Sequence, residues 1–401
     1  MDQQQIRREI AEIEPYVIET RRCLHRHPEP SGQEHHTRRF IVAELEKWGI
    51  PYQLLRGTGI IGEVKGALPG GVVALRADID ALPMQEEPTN MKQEKTCVSE
   101  VPGAAHTCGH DAHTAMLLGA AQVLLQHRSE LGGTILLCFE EGEENSCGID
   151  AMMEGLAPYH PDAVWGMHVM SNLEAGKICL APGPRLAGSA GIDFTVHGRS
   201  GHGSRPDLSI NPVFAAAHIL TSLSTAWVNE RTAGETVTLA PTCVDVGPTA
   251  YNIIPEQAHV LGSMRYFNLK EGEAALKTVK RIASLVGEAH RCTVTFGPTM
   301  KMGVLPTVND PERTQQAIEA LQEVFPAGTV VEGEKMYGSE TMSRYLAAYP
   351  GCFALLGVRN EERGITAEQH SCHYDLEESA LKEGVLATVT CALRFAEICR
   401  G

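Results

Sequence analysis

Apolar residues recur along this chain with two different periods, and the changes of period divide it into segments. From about Gln5 to Trp48 they fall at helical spacing, interrupted by HRHPEPSG, which predicts helices separated by a turn. From Gly71 the pattern becomes short apolar runs that end in acids or an imidazole. GVVALRADID, GTILLCFEEGEE and DAVWGMHV read as buried strands, with helices predicted at HTAMLLGAAQVLLQH and CGIDAMMEGL between them. Buried strands alternating with helices imply an α/β fold whose mainly parallel sheet is covered on both faces.

Between about Leu186 and Gly297 the character shifts. GIDFTVHG, ETVTLAPTCVDVG, AHVLGSMRYF and RCTVTF alternate as strands, while NPVFAAAHILTSLSTAW and EAALKTVKRIASLVGEAH are helical. Their order is β-α-β-β-α-β, the signature of a ferredoxin-like unit able to form its own two-layer core. After Gly297 the first pattern resumes with a helix at ERTQQAIEALQEVF, a buried strand at GCFALLGV and a closing helix at EESALKEGVLATVTCALRFAEICR. The expectation is a discontinuous α/β domain over residues 1–185 and 298–401, with residues 186–297 inserted.

At 401 residues the chain exceeds what one core usually supports, which agrees with two domains. A net charge of -16 argues against non-specific nucleic-acid binding, which needs a basic face. No apolar run is long enough to span a bilayer, and MDQQQIRREIAEIEP lacks the pattern of a signal peptide. The 12 cysteines are scattered, and Cys23, Cys138, Cys179, Cys352 and Cys399 sit in apolar segments as small hydrophobes. A cytoplasmic location with free thiols is expected.

The chemistry is suggested by where polar residues interrupt the strands. Asp78 and Asp80 follow one strand, Glu140 to Glu144 a second, His168 a third, and His370 lies in the loop after GCFALLGV. Ligands of open α/β sheets bind beyond the carboxyl ends of the strands, so these segments deliver their side chains to one rim. AAHTCGHDAHT adds Cys108 and His110 at a helix start, where the thiolate, the form that binds metal, is favoured. Each element alone also suits a plainer role: CGH as local packing or capping, EEGEE as a solvated loop, His168 as a buried histidine. Their coincidence on one rim favours a metal site, since burying so many acids without a cation is costly.

LHRHPEPSGQE, RADIDALPMQE, HTCGHDAHTAMLLGAA, FEEGEE, WGMHV, GRSGHGSRPDLSINP, NIIPEQAHVLGSMRYF and HSCHYDLEESAL run from about Leu24 to Gly384. Together they resemble the M20 metallopeptidases, in the amidohydrolase branch of aminoacylases, hippurate hydrolases, auxin-conjugate hydrolases and N-acetyldiaminopimelate deacetylases. The resemblance implies two divalent metal ions, Zn or Mn, with Cys108 bridging them and His110, Glu144, His168 and His370 as further ligands. It makes Glu143 the general base and Asp80 a carboxylate that orients a ligand imidazole. It further implies that His202, from SGHGSRP, reaches a neighbouring active site to polarise the scissile carbonyl. Asn252 becomes an oxyanion contact and Arg265 a group for the substrate carboxylate. The implied reaction is hydrolysis of the amide bond in a small N-acyl amino acid or peptide-like conjugate, by a homodimer formed through the inserted lid domain.

The chain departs from the family pattern in three places. FEEGEE carries Glu140 and Glu141 where many relatives have glutamine and proline, and these acids could tune the metal or face solvent. YGSETMSRY places Thr341 and Met342 after Glu340 instead of an acid and an aromatic residue, in a stretch expected to line the substrate pocket. EEPTNMKQEKTCVSEVPG is expected to form a surface loop. Other readings to be weighed are a dipeptidase or carboxypeptidase on the same scaffold, a non-catalytic metal-binding relative, and a cysteine protease using Cys108. The last is disfavoured because Cys108 and His110 are too close in sequence to act as nucleophile and base.

Overall fold

The computed structural model describes residues 3–247 and 250–398 and divides into two units. The first comprises Met1–Gly183, Val308–Glu334 and Arg344–Gly401, and the second Pro184–Thr307 with Lys335–Ser343. In the first unit, helices α1 (Gln3–Arg26) and α2 (His35–Lys47) precede strands β1 (Tyr52–Leu54), β2 (Ile60–Lys65) and β3 (Leu68–Asp78). Helix α3 (His110–Gln126), β4 (Gly132–Glu140), helix α4 (Ile149–Leu156), β5 (Ala163–Glu174) and β6 (Ile178–Cys179) follow. The second unit contains β7 (Gly188–His197), α5 (Pro212–Glu230), β8 (Val237–Asp245), β9 (Gln257–Tyr266), α6 (Leu269–Ala289) and β10 (Thr293–Phe296). The chain then returns through α7 (Pro311–Val324), β11 (Val330–Val331), β12 (Gly351–Arg359) and α8 (Leu381–Ile398).

The first unit is built on an eight-stranded sheet in the order β1-β2-β4-β3-β5-β12-β6-β11. Its centre, β4-β3-β5-β12, is parallel, whereas β2 joins β4 and β6 joins β12 antiparallel. These short outer strands carry no strong pattern in sequence and were not expected. The central strands are apolar on both faces because helices cover both: Ile135–Glu140 of β4 and Gly351–Val358 of β12 are buried throughout. Helix α3 is buried at every position from His110 to Ala121, so its sequence reads as nearly uniform apolar rather than amphipathic. Trp165 of β5 is about fully buried, and its indole N–H donates to Thr388 Oγ1 of α8 at 3.2 Å.

The second unit holds a wholly antiparallel sheet in the order β8-β9-β7-β10. Side chains from one face (Ile192, Phe194 and Val196 of β7, Val260 and Met264 of β9) share a core with Ile219 and Leu223 of α5 and Val279 and Ala283 of α6. Asn211 and Asn268 cap the two helices, their side chains accepting from Val213 N–H and Lys270 N–H. The sequence pattern ended this unit at Gly297, but residues 298–307 and 335–343 pack with it. They extend the start of β7: Ser189 N–H donates to Val304 O at 2.9 Å and Ala187 N–H to Met336 O at 3.0 Å. Such pairing of irregular segments leaves no periodic trace.

Cys138, Cys179 and Cys352 are buried and Cys23 is half-buried; Cys399 lies outside the described residues. Among the described residues no helix is long and apolar enough to cross a membrane.

Candidate metal centre

Strand ends and loops bring the polar residues of the first unit to one rim. Asp78 ends β3, and both it and Asp80 are completely buried. β4 ends at Glu140; Gly142 then adopts φ +59°, and Glu143–Asn145 form a short 3-10 turn. Cys108 and His110 flank Gly109, whose φ of +93° turns the chain into α3. A Cβ at Gly109 would fall 2.3 Å from Val169 Cγ2, so only glycine permits this approach between the two donors. His168 is not at a strand end. β5 pairs with β3 as far as Gly166 and continues alongside β12, so His168, two residues on, lies level with Asp78 at the end of β3. His370 itself sits at φ +65°, a left-handed conformation uncommon outside glycine and asparagine.

The donor atoms converge in overlapping groups. Cys108, Glu144 and His370 offer atoms within 4.8 Å of one another, as do His110, Glu143 and Glu144, and likewise Asp78, His110, His113 and His168. Cys108 Sγ is 3.5 Å from His168 Nε2, and His370 Nε2 is 3.1 Å from Glu144 Oε1. Asp80 orients two of the candidates together. Its Oδ1 accepts from His110 Nδ1 at 3.0 Å, and its Oδ2 from Glu144 N–H at 3.1 Å and Ser31 Oγ at 2.6 Å. That bond turns His110 Nε2 towards the other donors. His110 Nε2 is buried without a hydrogen-bond partner, and the buried Glu144 Oε1 meets the ring nitrogen of His370. Buried polar atoms are rarely left as His110 Nε2 is, and a cation bound among thiol, imidazole and carboxylate would satisfy it. The residues present fit divalent metal.

The electrostatics point the same way. Burial pushes the carboxyl of Asp78 up, but His110, His113 and Arg76 outweigh it and hold it well below the usual range. Burial lowers the affinity of His110 for a proton, yet the charge of Asp78 and the hydrogen bond to Asp80 reverse this and raise it. Metal-free, His110 thus holds a proton, whereas burial and the neighbouring His113 hold His168 well below its ordinary value. The thiol of Cys108 differs from expectation: burial pushes its pKa up, so the helix start does not by itself favour the thiolate. Desolvation outweighs the dipole, and the bound cation is what would stabilise the anion.

His113 escaped the sequence reading. Its Nδ1 donates to Asp78 Oδ1 at 2.5 Å, and its Nε2 accepts from Val169 N–H at 2.9 Å. It therefore ties α3 to the end of β3 and to the middle of β5, beside His110 and His168. The HxxH spacing from His110 to His113, nearly one helical turn, was the available signal. Glu140 and Glu141 neither face solvent nor join the donors: Glu140 accepts from Arg76 Nε at 2.8 Å, and Glu141 from Thr58 N–H at 2.8 Å. The EEPTNMKQEKTCVSEVPG segment is a loop of mostly exposed residues, as expected, yet Glu86, Asn90, Lys95 and Cys97 are buried within it.

In the second unit, Gly201–His202 pairs with Ile253–Ile254, and Gly203 N–H donates to Asn252 O at 2.7 Å, which sets His202 beside Asn252. His202 Nδ1 accepts from Ser204 N–H at 3.1 Å, leaving Nε2 as the N–H donor of the neutral ring. Arg265 lies on β9, half-buried, and its Nη1 donates to Ser339 Oγ at 2.5 Å. Thr341, Met342 and the adjoining Glu340 are buried, with Met342 N–H donating to Glu340 Oε1 at 3.0 Å.

The sequence pattern of Peptidase family M20/M25/M40 matches residues 74–394, a span that takes in every donor described above. The chain belongs to this M20 family. It is 33% identical over 399 residues to thermostable carboxypeptidase 1 of Saccharolobus solfataricus, covering 98% of each chain. It is 34% identical to N-acetylcysteine deacetylase of Bacillus subtilis, covering 91% of this chain and 93% of that one. The crystal structure of a dinuclear metal-binding M20 peptidase from Bacillus subtilis matches with a TM-score of 0.82 at 30% identity, covering 96% and 99% of the two chains. As an M20 protein related to amidohydrolases, the chain is a metal-dependent hydrolase of C–N amide bonds.

Proposed function

We propose that this M20 hydrolase cleaves the acyl–nitrogen bond of a small N-acyl amino acid, with Glu143 as general base and two Zn or Mn ions. The convergence of Cys108, Glu144 and His370 beside the orphaned Nε2 of His110 carries this reading. Cys108 would be shared between two subsites, one completed by Glu144 and His370 and the other by His110 and His168. The bound cations would supply Lewis acidity to water and carbonyl. Glu143, next in sequence to a ligand but kept off the metal, takes the proton of the attacking water and returns it to the leaving nitrogen. His202, through Nε2–H, and Asn252 donate to the developing oxyanion. Arg265 binds the substrate carboxylate with its planar fork.

The substrate class is supported by relatives named N-acetylcysteine deacetylase and N-acyl-L-amino acid amidohydrolase. The β-α-β-β-α-β order of the second unit supports a ferredoxin-like lid and dimerisation domain. The sequence from Pro212 to Asn229 on α5 contains no charged residue, yet Phe214 is 64% and Val228 84% exposed. A neutral helix face carrying exposed apolar groups, beside the edge strand β8, supports a homodimer and the delivery of His202 to a neighbouring site. The charge of -16 supports small-molecule substrates rather than nucleic acid. The free thiols of the described cysteines support a cytoplasmic setting.

Relatives named carboxypeptidase favour a second reading, release of a C-terminal residue from a peptide. One experiment separates the two: N-acyl amino acids and dipeptides are compared as substrates after reloading with Zn, Mn or Co. Acylated amino acids are expected to turn over faster by at least about 10-fold, and the reverse order would overturn the proposal. In the same assay Glu143→Ala is expected to retain metal while losing about 10²–10⁴ in kcat.

A further inference from the structure

The segment from Glu86 to Ser99 has no helix and no named strand, and most of its side chains are exposed, so apolar burial does not hold it in place. It nevertheless encloses a lysine: the Lys95 side chain is 1% exposed. A buried ammonium is costly unless it is paired and hydrogen-bonded. Lys95 Nζ donates to Glu86 Oε1 at 2.8 Å and to the carbonyl of Cys372 at 2.9 Å. Glu86 is fixed in turn by His25 Nε2 at 3.0 Å and by Ser99 N–H at 2.7 Å.

Cys372 lies two residues after His370, and its carbonyl also accepts from Glu87 N–H at 3.0 Å. Both lone pairs of that oxygen are thus used by this one segment. Asn90 Nδ2 donates to Asp375 Oδ2 at 2.9 Å, and His373 Nδ1 to Thr89 O at 2.9 Å. On its other side the loop is held by His370 N–H, which donates to Thr107 O at 2.9 Å beside Cys108. His370 keeps a left-handed backbone without being glycine, a conformation that persists only where surrounding bonds over-determine it.

We propose that Lys95 is a positioning residue for the cation subsite formed by Cys108, Glu144 and His370. It acts through the Cys372 carbonyl, and the segment around it serves as a strap that holds the ligand loop at its strained turn. The inference rests on the two-subsite reading above. It assigns this chain's departure from the family pattern a role in retaining one particular ion.

The test compares wild type, Lys95→Met and Lys95→Arg, all loaded with Zn, by metal content after dialysis against graded chelator. Circular dichroism and thermal melting follow the fold. Wild type is expected to hold two ions. Lys95→Met is expected to release one ion at about 10–100-fold lower chelator activity and to keep the other at the wild-type midpoint. Lys95→Arg, which retains a cationic donor, is expected to recover part of the difference. Asn90→Ala loosens the strap while leaving the Lys95–Glu86 pair intact, so it serves if Lys95→Met does not fold; a smaller shift confined to the same ion is expected. Folded variants that release both ions in parallel, or at wild-type midpoints, would overturn the role of Lys95 alone. A wild-type protein with no ion at the Cys108–Glu144–His370 subsite would overturn both this proposal and the two-subsite reading.

Discussion

Replacing Asp80 by asparagine tests how the site prepares its ligands. The carboxylate takes three donors, His110 Nδ1 on Oδ1 and the Glu144 amide and Ser31 hydroxyl on Oδ2. An asparagine of the same shape has one acceptor oxygen and one NH₂ group, so one side of it must oppose a donor. If the NH₂ faces His110, the imidazole must carry its proton on Nε2, and the lone pair needed for metal is lost. If it faces the other way, the Glu144 N–H is left unpaired and the ligand carboxylate loses its anchor. Leaving one buried donor unsatisfied costs about 1–3 kcal/mol. This corresponds to roughly 10–100-fold in metal affinity, the usual range when a carboxylate orienting a ligand imidazole is lost. Chelator competition on folded Asp80→Asn reads the affinity, and histidine nitrogen shifts in the Zn-loaded protein read the tautomer. Wild-type affinity with His110 still protonated at Nδ1 would refute the reasoning, because no single arrangement of the amide serves all three donors.

Three further outcomes are expected. Gly109→Ala combines a disfavoured positive φ with a Cβ 2.3 Å from Val169 Cγ2, so metal content should fall at least about 10-fold while most secondary structure survives; circular dichroism with metal analysis checks both. Burial pushes the carboxyl of Glu86 up, but His25 and Lys95 outweigh this and hold it at about 2, below its ordinary 4.5. Its contribution, on the order of 3 kcal/mol, is therefore complete above about pH 4.5 and lost as pH falls towards 2; urea unfolding of metal-free wild type and Glu86→Gln at stepped pH should show the two converging in acid. Phe214→Asp with Val228→Asp puts charge on the neutral face of α5 and should shift sedimentation from dimer to monomer, at wild-type melting temperature within a few degrees.

Much of the fold was legible because it rests on burial. The four central strands of the first unit and the helices between them are long apolar runs with polar ends, which few other arrangements would accommodate. The donors were legible for the same reason, since Glu144, His168 and His370 lie in or after such runs. Lys95 was not. KQEKT has the composition of a solvated loop, and the paired charges that enclose Lys95 come from segments distant in sequence. Glu140 and Glu141 misled for the same reason, their partner Arg76 lying on the neighbouring β3 and Thr58 in the turn between β1 and β2. The sequence pattern assigns residues 335–343 to the first unit, whereas they pack with the second, because backbone pairing to an irregular segment carries no side-chain period.

By itself, then, the sequence determined which residue types reach the rim and, through its motifs, the family and class of reaction. Periodicity reports which face of an element avoids water, and that alone places the ends of parallel strands together. Only the tertiary structure decided how each donor is held: His110 turned by Asp80, His113 spent on Val169, and the His370 loop strapped by a buried lysine. Those arrangements depend on hydrogen bonds between segments far apart in the chain, and such bonds impose distance and direction without leaving any repeat for a sequence to display.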